Sequence, residues 1–270
     1  MEKIELSKKG KELIKFYERM STEGYERRDG NYINKKDNQS SSFSSFELRR
    51  FREILLPYFK KYNIKSILDY GCGGSNWELE GFDIKSTKSA KEFFLLEKVF
   101  LYEPALKIDQ RKKADCITCF DVLEHIFISD IAKIVRDIFR LSKKLVILNI
   151  ACYKASALLP NGENAHITVR DPSWWKGFID SISIDYPDIN ILLFCSTGYN
   201  TIKLFECWKV KEWNQSTKFE IDLNPPKLIG KAKEENISLT INQLKIMVKS
   251  YARISKENRD EILNLLKDWT

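Results

Sequence analysis

The most constraining feature of the sequence is a short apolar strand that runs directly into a glycine-rich loop. Residues 65–70 are predicted to form a buried strand, and Gly71-Cys72-Gly73-Gly74-Ser75 follows without a break. Glycine permits a backbone with positive φ and allows the main chain to approach a ligand closely. In α/β sheets, ligands bind beyond the carboxyl ends of the strands. The pattern therefore predicts a ligand site at the carboxyl end of this strand.

Further strands and helices alternate along the chain, which is typical of a doubly wound α/β sheet. Residues 98–103, 114–120 and 144–150 have strand patterns, and the last run is apolar almost throughout, which indicates burial on both faces. Two later strands, 189–195 and 202–210, are joined by a linker with hairpin chemistry. Helices are predicted for residues 7–20, 46–62, near 85–97, and after a cap at Ser129-Asp130.

The bulk composition fits one α/β core with helical additions at both ends. Of the 270 residues, 43% are hydrophobic and 31% are charged, and no apolar run reaches the length of a membrane span. We predict an N-terminal helical cap or lid over residues 1–63, a core over 64–213 and a C-terminal helical extension over 214–270. The first residues lack the apolar segment of a secretory signal, so a cytoplasmic protein without membrane contact is expected. Its amphipathic C-terminal helices leave a monomer and a homodimer open.

The cysteines and the net charge narrow the possible partners. Five of the six cysteines lie in or beside apolar runs, which indicates reduced, mostly buried thiols. No second pair accompanies Cys116 and Cys119 at the spacing of a zinc site, so no metal is predicted. The net charge is +7, and residues 1–63 contain 15 Lys/Arg against 10 Asp/Glu. This modest basic bias fits an anionic substrate or cofactor and is too small to indicate a dedicated nucleic-acid binder.

Two acidic residues follow the ends of predicted strands. Glu103 ends the second strand, where a carboxylate can accept hydrogen bonds from both hydroxyls of a ribose. Asp121 follows the next strand, within Phe120-Asp121-Val122-Leu123-Glu124-His125-Ile126. Together with Leu68-Asp69-Tyr70-Gly71-Cys72-Gly73, this run resembles the class I, Rossmann-like methyltransferases that use S-adenosylmethionine (SAM). The resemblance implies a seven-stranded, mostly parallel sheet with a terminal antiparallel hairpin.

The resemblance also implies a SAM site at the carboxyl edge of the sheet, with S-adenosylhomocysteine (SAH) as the product. Asp69 is expected to face the positively charged methionine end of SAM, Glu103 its ribose, and Asp121 the methyl-transfer pocket. His125 is interpreted as ordering the following turn. Only residues 106–109 remain for a third strand, which is therefore expected to be very short. The predicted cofactor-binding residues are Asp69, Gly71, Cys72, Gly73, Glu103, Pro104, Asp121, Val122 and Leu123.

A second informative stretch lies after the strand at residues 144–150. It contains His166, Arg170 and the pair Trp174-Trp175, and the tryptophans are expected to open a helix and pack on the core. With residues 17–24, this stretch is similar to a little-characterised bacterial and phage group of these methyltransferases, over roughly residues 15–180. We predict that His166 removes the acceptor's proton or orients the acceptor. Tyr17 and Arg170 are candidate substrate residues, Arg170 for an acidic group.

Three functions remain open from the sequence. A small-molecule acceptor is favoured because no RNA-binding module is recognisable and the terminal additions are short. A nucleic-acid acceptor is the alternative, although Asn224-Pro225-Pro226-Lys227 lacks both the aromatic residue and the position of the motif in amino-methylating DNA enzymes. A SAM-binding regulatory or assembly protein without catalysis is the third. A dehydrogenase is not expected, because Asn76 stands where G-x-G-x-x-G requires a third glycine.

Overall fold

The elements of the fold are taken from a computed structural model, which describes residues 4–29, 32–34, 47–83, 87–198 and 201–207. Its helices are α1 (Lys8–Glu23), α2 (Leu48–Lys61), α3 (Ala90–Phe93), α4 (Ile128–Leu141) and α5 (Pro172–Ser183). Its strands are β1 (Arg27–Asp29), β2 (Tyr32–Asn34), β3 (Ser66–Tyr70), β4 (Lys98–Glu103), β5 (Ile108–Asp109), β6 (Ala114–Phe120), β7 (Ser142–Ala151), β8 (Asn190–Gly198) and β9 (Thr201–Cys207). The predicted C-terminal extension, residues 214–270, and the run at Asn224 lie outside the described residues.

The main sheet has the strand order β5-β4-β3-β6-β7-β8-β9. The neighbours from β4 to β8 are parallel, and β5 and β9 pair antiparallel at the two edges. The predicted α/β fold with a mostly parallel sheet is therefore confirmed. The expected short third strand is β5, which has two residues. Residues 199–200, between β8 and β9, are not described, so the predicted hairpin stays a prediction.

Helices cover both faces of the sheet, because successive side chains of a strand point to opposite faces. On β3, Ile67 packs with the α2 residues Phe51 and Leu55. Its neighbour Leu68 packs on the other face with Ile131 of α4 and Trp175 of α5. Strand β7 is buried on both faces from Leu145 to Ala151, as its continuous apolar sequence predicts. Each of these apolar side chains contributes about 1.5–3 kcal/mol when it is fully buried, so the two clusters hold the helices against the sheet.

Helix α4 does not begin where the sequence pattern predicts. The expected cap at Ser129-Asp130 is wrong, because the helix begins at Ile128 and its N-cap, Phe127, makes no side-chain cap bond. Asp130 is instead fully buried and accepts two hydrogen bonds from Ser7, from the backbone N–H (2.9 Å) and from the hydroxyl (2.6 Å). The Ser7 hydroxyl also caps α1 by accepting from Gly10. Asp130 therefore attaches the start of α1 to the core.

Two further expectations concern α3 and the thiols. The helix predicted near residues 85–97 is only the single turn of α3, which a reciprocal capping box between Ser89 and Glu92 begins. Of the five cysteines whose side chains the structure describes, four are buried and Cys152 is partly buried, as predicted. Among the helices of the described residues, none is long and apolar enough to cross a membrane.

Candidate active site

The glycine loop after β3 approaches its neighbours too closely for any other residue at its first position. Gly71 has φ +78°, and a Cβ added there would lie 2.3 Å from Cγ2 of Val122. The N–H groups of Gly71 and Cys72 both donate to the Tyr102 carbonyl, at 2.7 and 3.1 Å. These bonds join the loop to the end of β4. The backbone can therefore turn under a ligand without a side chain in the way.

Asp69, the last acid before the loop, is buried and already holds two donors. Its Oδ2 accepts from the Trp77 indole N–H at 2.8 Å, and its Oδ1 accepts from the Thr118 hydroxyl at 3.3 Å. Burial raises the pKa of Asp69 to about 6, although both hydrogen bonds lower it. A carboxylate held in this way is oriented by its partners and strongly favours a nearby positive charge. Neither Trp77 nor Thr118 is identified by the sequence motifs.

Glu103 closes the other side of the loop. Its Oε2 accepts from the Gly73 N–H at 3.1 Å and its Oε1 from the Ala105 N–H at 3.0 Å. Burial raises the pKa of Glu103, and the two backbone bonds lower it. Each carboxylate oxygen still has acceptor capacity, since an ionised carboxylate offers about four lone-pair sites. Glu103 thus positions the loop and keeps acceptors available for a ligand.

A cavity of about 830 Å³ lies beneath this loop and extends to helix α1. Side chains of α1 form one wall, with Leu13, Tyr17 and Met20 facing the cavity. Helix α1 is also joined to the residues beyond Glu103 by an ion pair between Glu18 and Lys107 at 2.7 Å. Eight of the nine predicted cofactor residues line the cavity: Asp69, Gly71, Cys72, Gly73, Glu103, Pro104, Asp121 and Val122. Leu123 does not line it, because its side chain is fully buried in the core beside α4, and its role in cofactor binding stays a prediction.

Asp121 occupies a constrained position at the end of β6. Its φ is +54°, and its N–H donates to the Asn149 carbonyl at 3.0 Å. Its Oδ1 accepts from the Asn149 side-chain amide at 2.6 Å. Burial and the nearby negative charge of Glu47 raise the pKa of Asp121 to about 7, against the lowering effects of Arg50 and Asn149. A non-glycine residue with positive φ and a shifted pKa at a cavity wall is typical of a functional site.

The two histidines of the chain meet at the far end of the cavity. Their ring centroids lie 4.7 Å apart in an edge-to-face arrangement. Nδ1 of His125 lies 2.7 Å from the Tyr17 hydroxyl and 3.0 Å from the Ala165 carbonyl, and Nδ1 of His166 donates to the Tyr153 carbonyl at 2.5 Å. Burial lowers the pKa of His125 to about 3 and also lowers the pKa of His166. Both imidazoles are therefore neutral at pH 7.

The structure places some of the predicted substrate and catalytic residues at the cavity and one of them outside it. Tyr17 and His166 line the cavity, and so does His125, whose position there the sequence interpretation missed. Arg170 does not line it: its side chain is exposed, and its guanidinium lies 5.9 Å from the Trp174 ring centroid. The cationic side chains that line the cavity are Arg27 and Lys154. Trp174 and Trp175 open α5, and Trp175 is fully buried, as predicted.

The mostly parallel sheet, with a glycine loop between the buried Asp69 and the partly buried Glu103, defines a Rossmann-like cofactor-binding protein. A family model described as a methyltransferase domain matches residues 12–175, which is more than half of the chain and extends from α1 into α5. The chain therefore belongs to this methyltransferase family and is an enzyme that uses SAM as its methyl donor. Comparison with curated proteins finds no match, and comparison with solved structures finds none either. The resemblance to a bacterial and phage group stays a prediction.

Proposed function

We propose that this methyltransferase modifies a small molecule, which binds beside SAM in the cavity under α1. The observation that carries the proposal is the single cavity of about 830 Å³ that joins the glycine loop to the histidine pair. Pockets of about 300–1,000 Å³ hold ligands of drug size. This volume suits a nucleoside cofactor together with a small acceptor, whereas a base within a duplex would first have to be flipped out of its stack.

The residues at the glycine loop fit SAM. The absence of a side chain at Gly71 lets the loop pack directly against Val122 at the cavity wall, and Asp69 offers a buried negative charge to the ammonium group of the methionine end. Glu103 offers acceptors to the ribose hydroxyls, and Asp121 and Val122 border the place where the methyl group is transferred. When bound, SAM supplies a sulfonium methyl group that a nucleophile displaces in line. Holding the acceptor close and aligned then contributes much of the rate.

His166 activates or orients the acceptor at the other end of the cavity. The carbonyl of Tyr153 can only accept, so the bond from His166 Nδ1 places the proton on that nitrogen. The lone pair of Nε2 is then available, as a general base or an orienting acceptor requires. Tyr17 lies beside the two histidines, because its hydroxyl is hydrogen-bonded to Nδ1 of His125.

Arg27 and Lys154 take the place that the sequence analysis assigned to Arg170. Both side chains line the cavity, and the Arg27 guanidinium also donates to the Tyr25 hydroxyl at 2.9 Å. Two cations at the wall favour an acceptor that carries a carboxylate or phosphate. We therefore expect an anionic small molecule.

The acceptor class is tested by incubating the enzyme with methyl-labelled SAM and a cell extract separated into metabolites, RNA, DNA and protein. Label is expected in the metabolite fraction, retained on an anion-exchange resin. Replacing His166 with Ala should reduce incorporation by at least about a hundredfold, the lower end of the range for loss of a general base. Label confined to RNA or DNA would overturn the small-molecule proposal in favour of the nucleic-acid alternative. The matched control is Arg170→Ala, whose side chain lies outside the cavity.

A further inference from the structure

Three potential metal ligands converge at the end of the cavity, although no sequence motif groups them. Glu124, His125 and His166 each offer one ligand atom, and these three atoms all lie within 4.8 Å of one another. Forty residues separate the first pair from His166, so the fold alone brings them together. Two imidazoles and one carboxylate form a donor set that binds Zn²⁺ or Fe²⁺ in proteins.

The imidazoles are oriented as metal-binding histidines are. Such histidines use one ring nitrogen for a backbone carbonyl or carboxylate and leave the other for the ion. Here Nδ1 of His166 bonds to the Tyr153 carbonyl and Nδ1 of His125 to the Ala165 carbonyl. The bond of His166 places the proton on Nδ1 and leaves the Nε2 lone pair for an ion, and His125 adopts the same tautomer when its Nδ1 donates to the Ala165 carbonyl.

Glu124 gives a second reason to expect an ion, which does not depend on the histidines. Its side chain is fully buried, and Oε1 accepts from the Ala151 N–H at 2.8 Å. Its Oε2 is buried without a hydrogen-bond partner. A buried carboxylate oxygen without a partner is costly, and such a group in a native protein calls for an explanation such as an ion. A cation bound between Glu124 and the two histidines would remove that cost.

We propose that Glu124, His125 and His166 bind one divalent first-row transition-metal ion, with an open coordination position facing the cavity. Both histidines line the cavity, so a fourth ligand can reach the ion from that side. Three protein ligands and one open position are the arrangement of catalytic rather than structural zinc sites.

The surrounding backbone holds the three ligands near the required geometry. The Thr168 N–H donates to the Glu124 carbonyl at 2.9 Å, and the Thr168 hydroxyl donates to the Ile126 carbonyl at 2.7 Å. These bonds attach the segment of His166 to the turn that contains Glu124 and His125. In a tetrahedral site with ligands about 2.0–2.2 Å from the ion, two ligand atoms lie about 3.3–3.6 Å apart, so atoms that now lie within 4.8 Å of one another must converge by up to about 1.5 Å.

The role of the ion in methyl transfer rests on the proposed function, whereas the existence of the site does not. An ion at this end of the cavity would hold an oxygen or nitrogen of the acceptor and favour its deprotonated form. His166 would then act on the acceptor through the ion. The two proposals can therefore fail independently.

The site is tested by titrating untagged, metal-free enzyme with Zn²⁺ alone by calorimetry, and with Co²⁺ by visible absorption. The wild-type protein is expected to bind one equivalent at micromolar or tighter affinity, with visible Co²⁺ bands. His166→Ala and Glu124→Gln should each weaken Zn²⁺ binding by at least about tenfold. Glu97→Gln, which alters an exposed carboxylate outside the cavity, is the matched control and should bind as the wild type does.

Two outcomes would overturn the metal site. One is no saturable Zn²⁺ binding by the wild-type protein, and the other is equal affinity in His166→Ala. SAH titrated into the same samples reports on the cofactor site separately. Loss of Zn²⁺ binding in Glu124→Gln with normal SAH binding would support the proposal and show that the variant is folded.

Discussion

Gly71 is the residue that most directly connects the backbone to the cofactor site. Replacing Gly71 with Ala brings a Cβ within 2.3 Å of Val122 and forces an alanine to φ +78°. The left-handed backbone costs about 1–2 kcal/mol and the collision a further 1–3 kcal/mol, roughly. We expect urea unfolding to show a lower free energy of unfolding, and calorimetry to show weaker SAH binding.

The matched control for this prediction is Gly81→Ala. Gly81 has φ +79°, yet a Cβ there would meet nothing within 4 Å, so only the backbone cost applies. Shortening the neighbour in the double variant Gly71→Ala/Val122→Ala should recover part of the loss. Equal destabilisation of the Gly71 and Gly81 variants would contradict the close packing of the loop against Val122.

Asp121 is predicted to weaken the fold at neutral pH. Its folded-state pKa of about 7 is above the ordinary value, so its contribution to stability is complete below about pH 4 and is lost as the pH rises through 7. Asp121→Asn should therefore be more stable than the wild type at pH 8, by about 1–3 kcal/mol. The gain should vanish near pH 4. Urea unfolding of both proteins at the two pH values measures it, and a pH-independent difference would contradict the account.

At the residue scale, the sequence motifs predict the acids and glycines of the cofactor site but not their partners. Asp69, Glu103 and Asp121 follow strand ends, so their convergence at one sheet edge follows from parallel topology. Trp77 and the pair of His125 with His166 are brought into the site by loops whose path no local pattern encodes. The side chains of Leu123 and Arg170 do not line the cavity, because Leu123 is buried in the core and Arg170 is exposed beside Trp174.

At the scale of elements, α1 is attached to the core at its first turn. Ser7 caps the helix and binds Asp130, and Gly10 leaves no room for a side chain, since a Cβ there would lie 2.2 Å from an Asp130 oxygen. The periodicity of the sequence predicts helix α1, but it does not predict the contact between Ser7 and Asp130, which lie 123 positions apart. From the sequence, Asp130 is therefore expected to cap the helix beside it.

Ser7→Ala should loosen the start of α1. Loss of the cap and of the bond to Asp130 should weaken its docking by about 1–2 kcal/mol. Hydrogen exchange of α1 amides should then become faster, and SAH binding several-fold weaker, because α1 forms a wall of the cavity. Ser21→Ala in the same helix is the control, since the Ser21 hydroxyl donates to the Glu18 carbonyl of its own helix. Unchanged exchange in Ser7→Ala would contradict a role for this contact.

At the scale of the whole molecule, strands that alternate with helices predict the mostly parallel sheet. The continuous apolar sequence of a strand indicates that the strand is buried on both faces. The same patterns predict poorly where tertiary contacts decide, as at the single turn of α3, whereas the very short third strand is expected. The sheet brings the ends of β3, β4 and β6 to one edge, and α1 covers the cavity that results. The site is therefore a property of the assembled fold.

The central claim is that SAM binds at this edge through the buried charge of Asp69. It is tested most directly by calorimetric titration of the purified enzyme with SAM and SAH, with NAD for comparison. Asp69→Asn keeps acceptors for Trp77 and a partner for Thr118, and Asp185→Asn is an exposed control. We predict that the wild type binds SAM and SAH saturably and does not bind NAD. The affinity for SAM and SAH should fall at least about tenfold in Asp69→Asn and stay unchanged in Asp185→Asn. Equal SAM affinity in Asp69→Asn and wild type, or no SAM binding, would contradict the account.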